Sequence, residues 1–138
     1  MSNIRTFRSV QKPFFARSAR NLATGNLGED IAVNSLKKKG YQIIERNYRT
    51  DLGEIDIICK KAGLIIFVEV KTIQKGGQYG EPFEKINYFK ARKLMQNAML
   101  YLIQKDYPED RPWQIDVIGV ELNYKTRKAK LRHLEDVI

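Results

Sequence analysis

Four ionisable residues, Glu54, Asp56, Glu69 and Lys71, stand inside two apolar runs, GEIDIICKK (53–61) and LIIFVEVKT (64–72), whose composition otherwise suits buried strands. Strand side chains alternate between faces. Glu54, Asp56 and Ile58 therefore share one face, and Ile65, Phe67, Glu69 and Lys71 share one face of the next strand. A two-residue turn at Ala62-Gly63 pairs Lys61 with Leu64. Continued along the hairpin, that register sets Asp56 opposite Glu69 and Glu54 opposite Lys71; a three-residue turn would shift it by one. Directly opposed Cβ atoms lie about 4.5–5.5 Å apart, so two carboxylates and an amine converge on one hairpin end. Ionised carboxylates this close repel and need compensation. A divalent cation supplies it, and Mg²⁺ is held by one or two carboxylates plus substrate phosphate. Asp56 and Glu69, with the carbonyl of Val70, make such a metal site. Lys71 is placed to contact phosphate or stabilise developing charge. The plainer alternative is an ion pair of Lys71 with Glu54 or Glu69 at a solvated sheet edge.

Glu29 is the next candidate. At helical spacing its neighbours are Ala32, Val33 and Leu36. A glutamate on an apolar stripe needs a partner or a task, and a further metal-shell carboxylate is one. A first-turn Glu favouring the helix dipole is the other. Lys85, Lys90, Arg92 and Lys93 crowd the start of the second helix. With Lys75 in a glycine loop, and Arg46 and Arg49 on the preceding strand, they are candidate contacts to a phosphate backbone; a solvated face is the alternative. Tyr79 and Tyr88 suit base stacking or packing. Asp116 is expected to pair structurally with Arg111, Cys59 to lie in the core, and His133 to lie away from the cluster.

The elements that must position these groups follow from periodicity and turn chemistry. Residues 25–39 read as a helix stopped at Gly40, and 41–49 as a strand followed by the turn TDLG. Strands over 54–60 and 64–71 meet at Ala62-Gly63. A glycine-rich loop fills 72–82, and a helix runs from about Pro82 to Lys105. Strands over 113–122 and 127–134 flank the turn NYKT. The order α-β-β-β-α-β-β predicts an α/β domain, a mixed β-sheet flanked by helices.

The 138 residues suffice for one domain. Net charge is +9, and residues 1–20 alone hold five basic residues and no acid. We read 1–20 as a basic flexible tail, with an Arg-rich transit peptide as the alternative, and 21–138 as the domain. The balance favours a polyanion, nucleic acid first. No apolar run approaches the ~20 residues of a membrane helix, so no membrane partner is expected. The lone cysteine, Cys59, fits a reducing, cytoplasmic setting. With a single histidine, it makes a zinc finger untenable.

The segments GNLGEDIA, GYQIIERNYR, GEIDIIC, IIFVEVKT and RPWQIDVIGV occur in that order and together resemble the YraN family of small bacterial proteins. The likeness covers roughly residues 22 to 122. That family is similar to the restriction-endonuclease-like PD-(D/E)xK nucleases and to archaeal Holliday-junction resolvases. The resemblance implies a restriction-endonuclease-like fold, with Asp56 as the first acidic residue, Glu69 and Lys71 as the E-x-K pair, and Glu29 as the helix glutamate. It also implies a Mg²⁺- or Mn²⁺-dependent nuclease acting on DNA, including branched or junction DNA in repair or recombination, and a homodimer. The alternatives are a catalytically inactive nucleic-acid-binding module of the same fold and a scaffold for repair proteins. The loop KTIQKGGQYG lacks the arginine usual soon after the family's E-x-K, so no phosphate contact carries over to it by resemblance.

Overall fold

The computed structural model describes residues 6–10, 24–74 and 88–138. Six strands form one sheet: β1 (Thr6–Val10), β2 (Gln42–Thr50), β3 (Gly53–Lys61), β4 (Leu64–Gln74), β5 (Trp113–Asn123) and β6 (Lys128–Leu134). Two helices join them, α1 (Thr24–Lys38) and α2 (Tyr88–Gln104). The spatial order is β1-β6-β5-β4-β3-β2. Only β4 and β5 run parallel, joined by the α2 crossover; the other neighbours are antiparallel. After β1 the order is the expected α-β-β-β-α-β-β, and the molecule is an α/β mixed sheet flanked by helices, with a restriction-endonuclease-like layout. One element was not expected: Thr6–Val10, inside the segment read as a tail, pairs with β6 and closes that edge. The expected helix start at Pro82, with Lys75, Tyr79 and Lys85, lies outside the described residues, as does the side chain of Tyr88.

The hairpin chemistry explains the register. Ala62 and Gly63 both take positive φ, 51° and 81°, the conformation of a tight two-residue turn whose twist matches that of its strands. Lys61 therefore opposes Leu64, and pairing runs to Ile57 opposite Val68, in the register read from the sequence. Gly40 ends α1 with φ 88°, free of the Cβ penalty.

Each sheet face buries one core. Ile57, Cys59, Ile66, Val68, Ile118, Val120 and Leu122 pack under Leu27, Ile31, Ala32 and Leu36 of α1. Ile55, Ile58, Ile65, Phe67 and Ile115 pack under Leu94, Ala98 and Tyr101 of α2. Tyr101 meets Tyr48 and Phe67 edge-on, at centroid distances of 5.2 and 5.7 Å. Helix α1 lies tight on β4: a Cβ added at Gly28 would fall 1.9 Å from Thr72 Oγ1 and 2.9 Å from Thr72 Cβ.

The two cores correct one expectation. Strict alternation along β3 would set Ile55 beside Ile57 and Cys59, on the face opposite Asp56, yet it belongs to the α2 core while they belong to the α1 core. The partner strand changes face at the same place: Arg46 reaches Asp30 of α1, whereas Tyr48 packs on Tyr101 of α2. Between these lies the opposed pair Asn47 and Asp56, skipped in a ladder that, after a register shift between Ile43 and Glu45, keeps its register from Glu45 to Thr50. Asn47 has φ 53°, a left-handed conformation in which Asn is enriched. Both strands thus turn over together at this pair, without a register shift.

Candidate functional site

The ladder between β3 and β4 ends at Ile57 and Val68. Beyond it β3 stays with β2 as far as Gly53, while β4 stays with β5 as far as Gln74. The sheet therefore forks, and Asp56 and Glu69 are the first residues past the split. Asp56 is not simply opposed to Glu69, as the extended hairpin register had it. Its Oδ2 accepts a hydrogen bond from the Val70 N–H at 2.8 Å, closing the base of the fork. The N–H and C=O of one strand residue point to the same side, so the Val70 carbonyl also faces the gap.

Glu69 is buried, 7% exposed, and its Oε1 lies 2.6 Å from Lys90 Nζ of α2. Lys71 follows two residues later on β4, on the same face by alternation and half-buried. The partners once considered for Lys71 are engaged elsewhere, Glu69 with Lys90 and Glu54 with Arg49 (3.1 Å). Glu54 departs from expectation for the reason given above. Past the Asn47–Asp56 turnover it swings to the α1 side, away from Lys71. With its nitrogen facing the acceptors, the Asn47 amide donates to Glu54 Oε1 at 2.7 Å and to Glu29 Oε1 at 2.9 Å. Asn47 was missed in the sequence; the signal was an Asn set inside a strand.

Glu29, Glu54, Asp56 and Glu69 are thus gathered from α1, β3 and β4. Their mutual field is strong. The Asp56 carboxyl is pushed up to about 7, first by burial and then by Glu69, with Glu29 and Glu54 adding and the Val70 N–H opposing. Burial also raises Glu29, against the pull of Arg46. Asp56, Glu69 and the Val70 carbonyl present an all-oxygen donor set, the kind that hard divalent cations take. Buried carboxylates that raise one another's pKa values mark a candidate functional site.

The other expected contacts scatter around this group. Arg46 pairs with Asp30 at 2.7 Å and Arg49 with Glu54; both are exposed. Arg92 and Lys93 are exposed on α2, and Lys93 lines a recess with Lys90, Glu54, Leu52 and Asn97. Asn97, 1% exposed, accepts from Thr50 Oγ1 at 2.7 Å and donates to the Gly53 carbonyl at 3.1 Å, pinning the β2–β3 turn beside the recess. Asp116 does not pair with Arg111. Its Oδ2 lies 2.7 Å from His133 Nε2, and Gln114 Nε2 donates to its Oδ1 at 2.9 Å. Cys59 is buried, as expected.

A forked mixed sheet with carboxylates at the split and one helix on each face defines a restriction-endonuclease-like α/β protein. The model of the uncharacterised protein family UPF0102 matches residues 28–120, and the chain belongs to that family, the YraN family its motifs resemble. It is 47% identical over 103 residues to a UPF0102 protein of Clostridium botulinum, covering 75% of this chain and 83% of the relative. It is 40% identical over 116 residues to one of Alkaliphilus oremlandii, covering 84% and 97%. A Clostridium beijerinckii UPF0102 protein is also 40% identical over 116 residues, covering 84% and 93%. No helix among the described residues is long and apolar enough to cross a membrane.

Proposed function

We propose that this protein is a divalent-metal-dependent nuclease that hydrolyses phosphodiester bonds in DNA, with branched or junction DNA as the favoured substrate. The observation that carries the reading is the fork, where Asp56, Glu69 and the Val70 carbonyl face one gap and Lys71 follows on the same strand. Asp56 and Glu69 would hold Mg²⁺ or Mn²⁺, with Glu29 behind them on α1. The bound ion supplies a Lewis acid for a phosphoryl oxygen and an acidified water. Asp56 is oriented for this by the Val70 N–H, which keeps one carboxylate oxygen turned into the gap. Lys71 brings positive charge to the place where the phosphorane's negative charge grows. Lys90 holds Glu69, and Arg92 and Lys93, exposed further along α2, would meet the phosphate backbone. The net charge of +9 supports a polyanionic substrate.

The test is cleavage of labelled single-stranded, duplex, flap and four-way-junction DNA in EDTA, Mg²⁺ and Mn²⁺. We expect metal-dependent cutting that Asp56→Ala and Lys71→Ala each abolish while DNA binding persists. Cutting by both variants at the wild-type rate would remove the site assignment. Salt-dependent binding with no cutting in either metal would favour an inactive DNA-binding module.

A further inference from the structure

A second group of potential ligands lies on the α1 side of the sheet, beyond the C-terminal end of α1. Asp116 stands near the start of β5, His133 on β6 and Glu135 just past the end of β6. The β5–β6 register sets Ile118 opposite His133 and Val117 opposite Leu134. Asp116 and Glu135 are therefore the next opposed positions, on the same face as His133. One ligand atom from each of the three lies within 4.8 Å of the other two. The fork is elsewhere: Glu29, in the second turn of α1, and Lys38, at its C-terminal end, are separated by roughly 14 Å of helix.

The three residues are held as ligands rather than as a loose surface cluster. Asp116 is fully buried and His133 is 2% exposed. Gln114 Nε2 and the Asp136 N–H both donate to Asp116 Oδ1 at 2.9 Å, which fixes the carboxylate with Oδ2 turned to His133. Outer partners orient metal-binding carboxylates in this way. The Asp136 bond and the Val137 N–H donating to the Ile115 carbonyl at 2.9 Å dock the segment carrying Glu135 onto β5. Glu135 accepts from Tyr41 OH at a long 3.3 Å.

We propose that Asp116, His133 and Glu135 form a second metal site, selective for a borderline transition ion such as Zn²⁺ and completed by water. One imidazole nitrogen and two carboxylates are a three-ligand set that Zn²⁺ accepts with an open position, whereas Mg²⁺ prefers oxygen alone. The 2.7 Å separation of His133 Nε2 and Asp116 Oδ2 would open to about 3.3 Å around an ion with ~2.0 Å bonds. Nε2 cannot carry a proton and bind the ion at once, so the proton between the two atoms would move to Nδ1 or be released. Glu135, half-buried, is the ligand through which the ion enters.

The test is titration calorimetry of chelator-treated Asp56→Asn/Glu69→Gln protein with Zn²⁺, which keeps the fork out of the measurement. We expect one Zn²⁺ per chain and no displacement by millimolar Mg²⁺. Altering only an outer partner of a metal ligand costs 10–100-fold in affinity. Glu135→Gln and His133→Gln should therefore each weaken binding by about 100-fold or more. Glu135 is not in the buried core, so its variant should fold, and circular dichroism checks that. Zn²⁺ binding that both variants leave unchanged, or no binding at all, would overturn the proposal and leave a hydrogen-bonded structural pair.

Discussion

Gly28→Ala probes the contact on which the site's geometry depends. The new Cβ would fall 1.9 Å from Thr72 Oγ1, 2.8 Å from its Cγ2 and 2.9 Å from its Cβ. Rotating Thr72 about χ1 can move the first two atoms, but Cβ stays where the strand backbone puts it. Helix α1 must therefore lift from β4 by several tenths of an ångström at least. Overpacking of this kind costs about 1–3 kcal/mol. For a chain of this size each kcal/mol lowers Tm by roughly 3–5 °C, so the expected loss is about 3–15 °C. The displacement also carries Glu29, the next residue, away from Asp56 and Glu69. Thr72→Ala removes Oγ1 and Cγ2 and leaves only the marginal 2.9 Å contact. The double variant should thus recover most of the lost stability, read as a coupling energy in a denaturant double-mutant cycle. Additive effects of the two substitutions would refute the reasoning and put the cost of Gly28→Ala somewhere other than this contact.

Three further outcomes follow from the same structure. The Asp56 carboxyl sits above its ordinary value, at about 7, so the folded metal-free chain binds a proton that the unfolded chain releases. Its contribution is complete below about pH 4 and is lost as pH rises through 7, a change of at most about 4 kcal/mol. Asp56→Asn should accordingly raise Tm in EDTA at pH 8 and have little effect at pH 4; equal shifts at both would exclude the carboxylate field as the cause. Asn47→Asp keeps a side chain suited to φ 53° but turns the donor between Glu29 and Glu54 into a third negative charge. It should destabilise at pH 7.5 more than Asn47→Gly does, with the gap closing in acid, as melting curves would show. Asn97→Ala removes a buried amide that accepts from Thr50 Oγ1 and donates to the Gly53 carbonyl, two hydrogen bonds in all. It should cost about 1–3 kcal/mol and speed amide exchange at the β2–β3 turn, with β5 and β6 unaffected.

What the sequence made legible was what local chemistry decides. Ala62-Gly63 specified a tight turn, β-branched runs specified strands, and the register to Val68 followed from the two together. Asp56, Glu69 and Lys71 stood out because charged residues at period two inside such runs have few structural excuses. Three features failed for three different reasons. Strand β1 has five residues from a basic segment with no apolar alternation, and it is a strand because β6 offers an edge, which is a tertiary cause. The face exchange at Asn47 and Asp56 escaped because strict alternation was assumed through a residue whose left-handed φ breaks it. Asp116 and His133 meet only through the β5–β6 register, 17 residues apart, and nothing local to either announces the other. The second failure bears most on chemistry. Strict alternation would put Glu54 beside Lys71, where an ion pair could quench both. The turnover instead sends Glu54 to Glu29 and Asn47, leaving Asp56 beside Glu69 at the fork. A strand irregularity of this kind re-aims side chains next to functional sites. Here it gathers Glu29, Glu54, Asp56 and Glu69 at the fork, with Lys90 on Glu69 and Arg49 on Glu54.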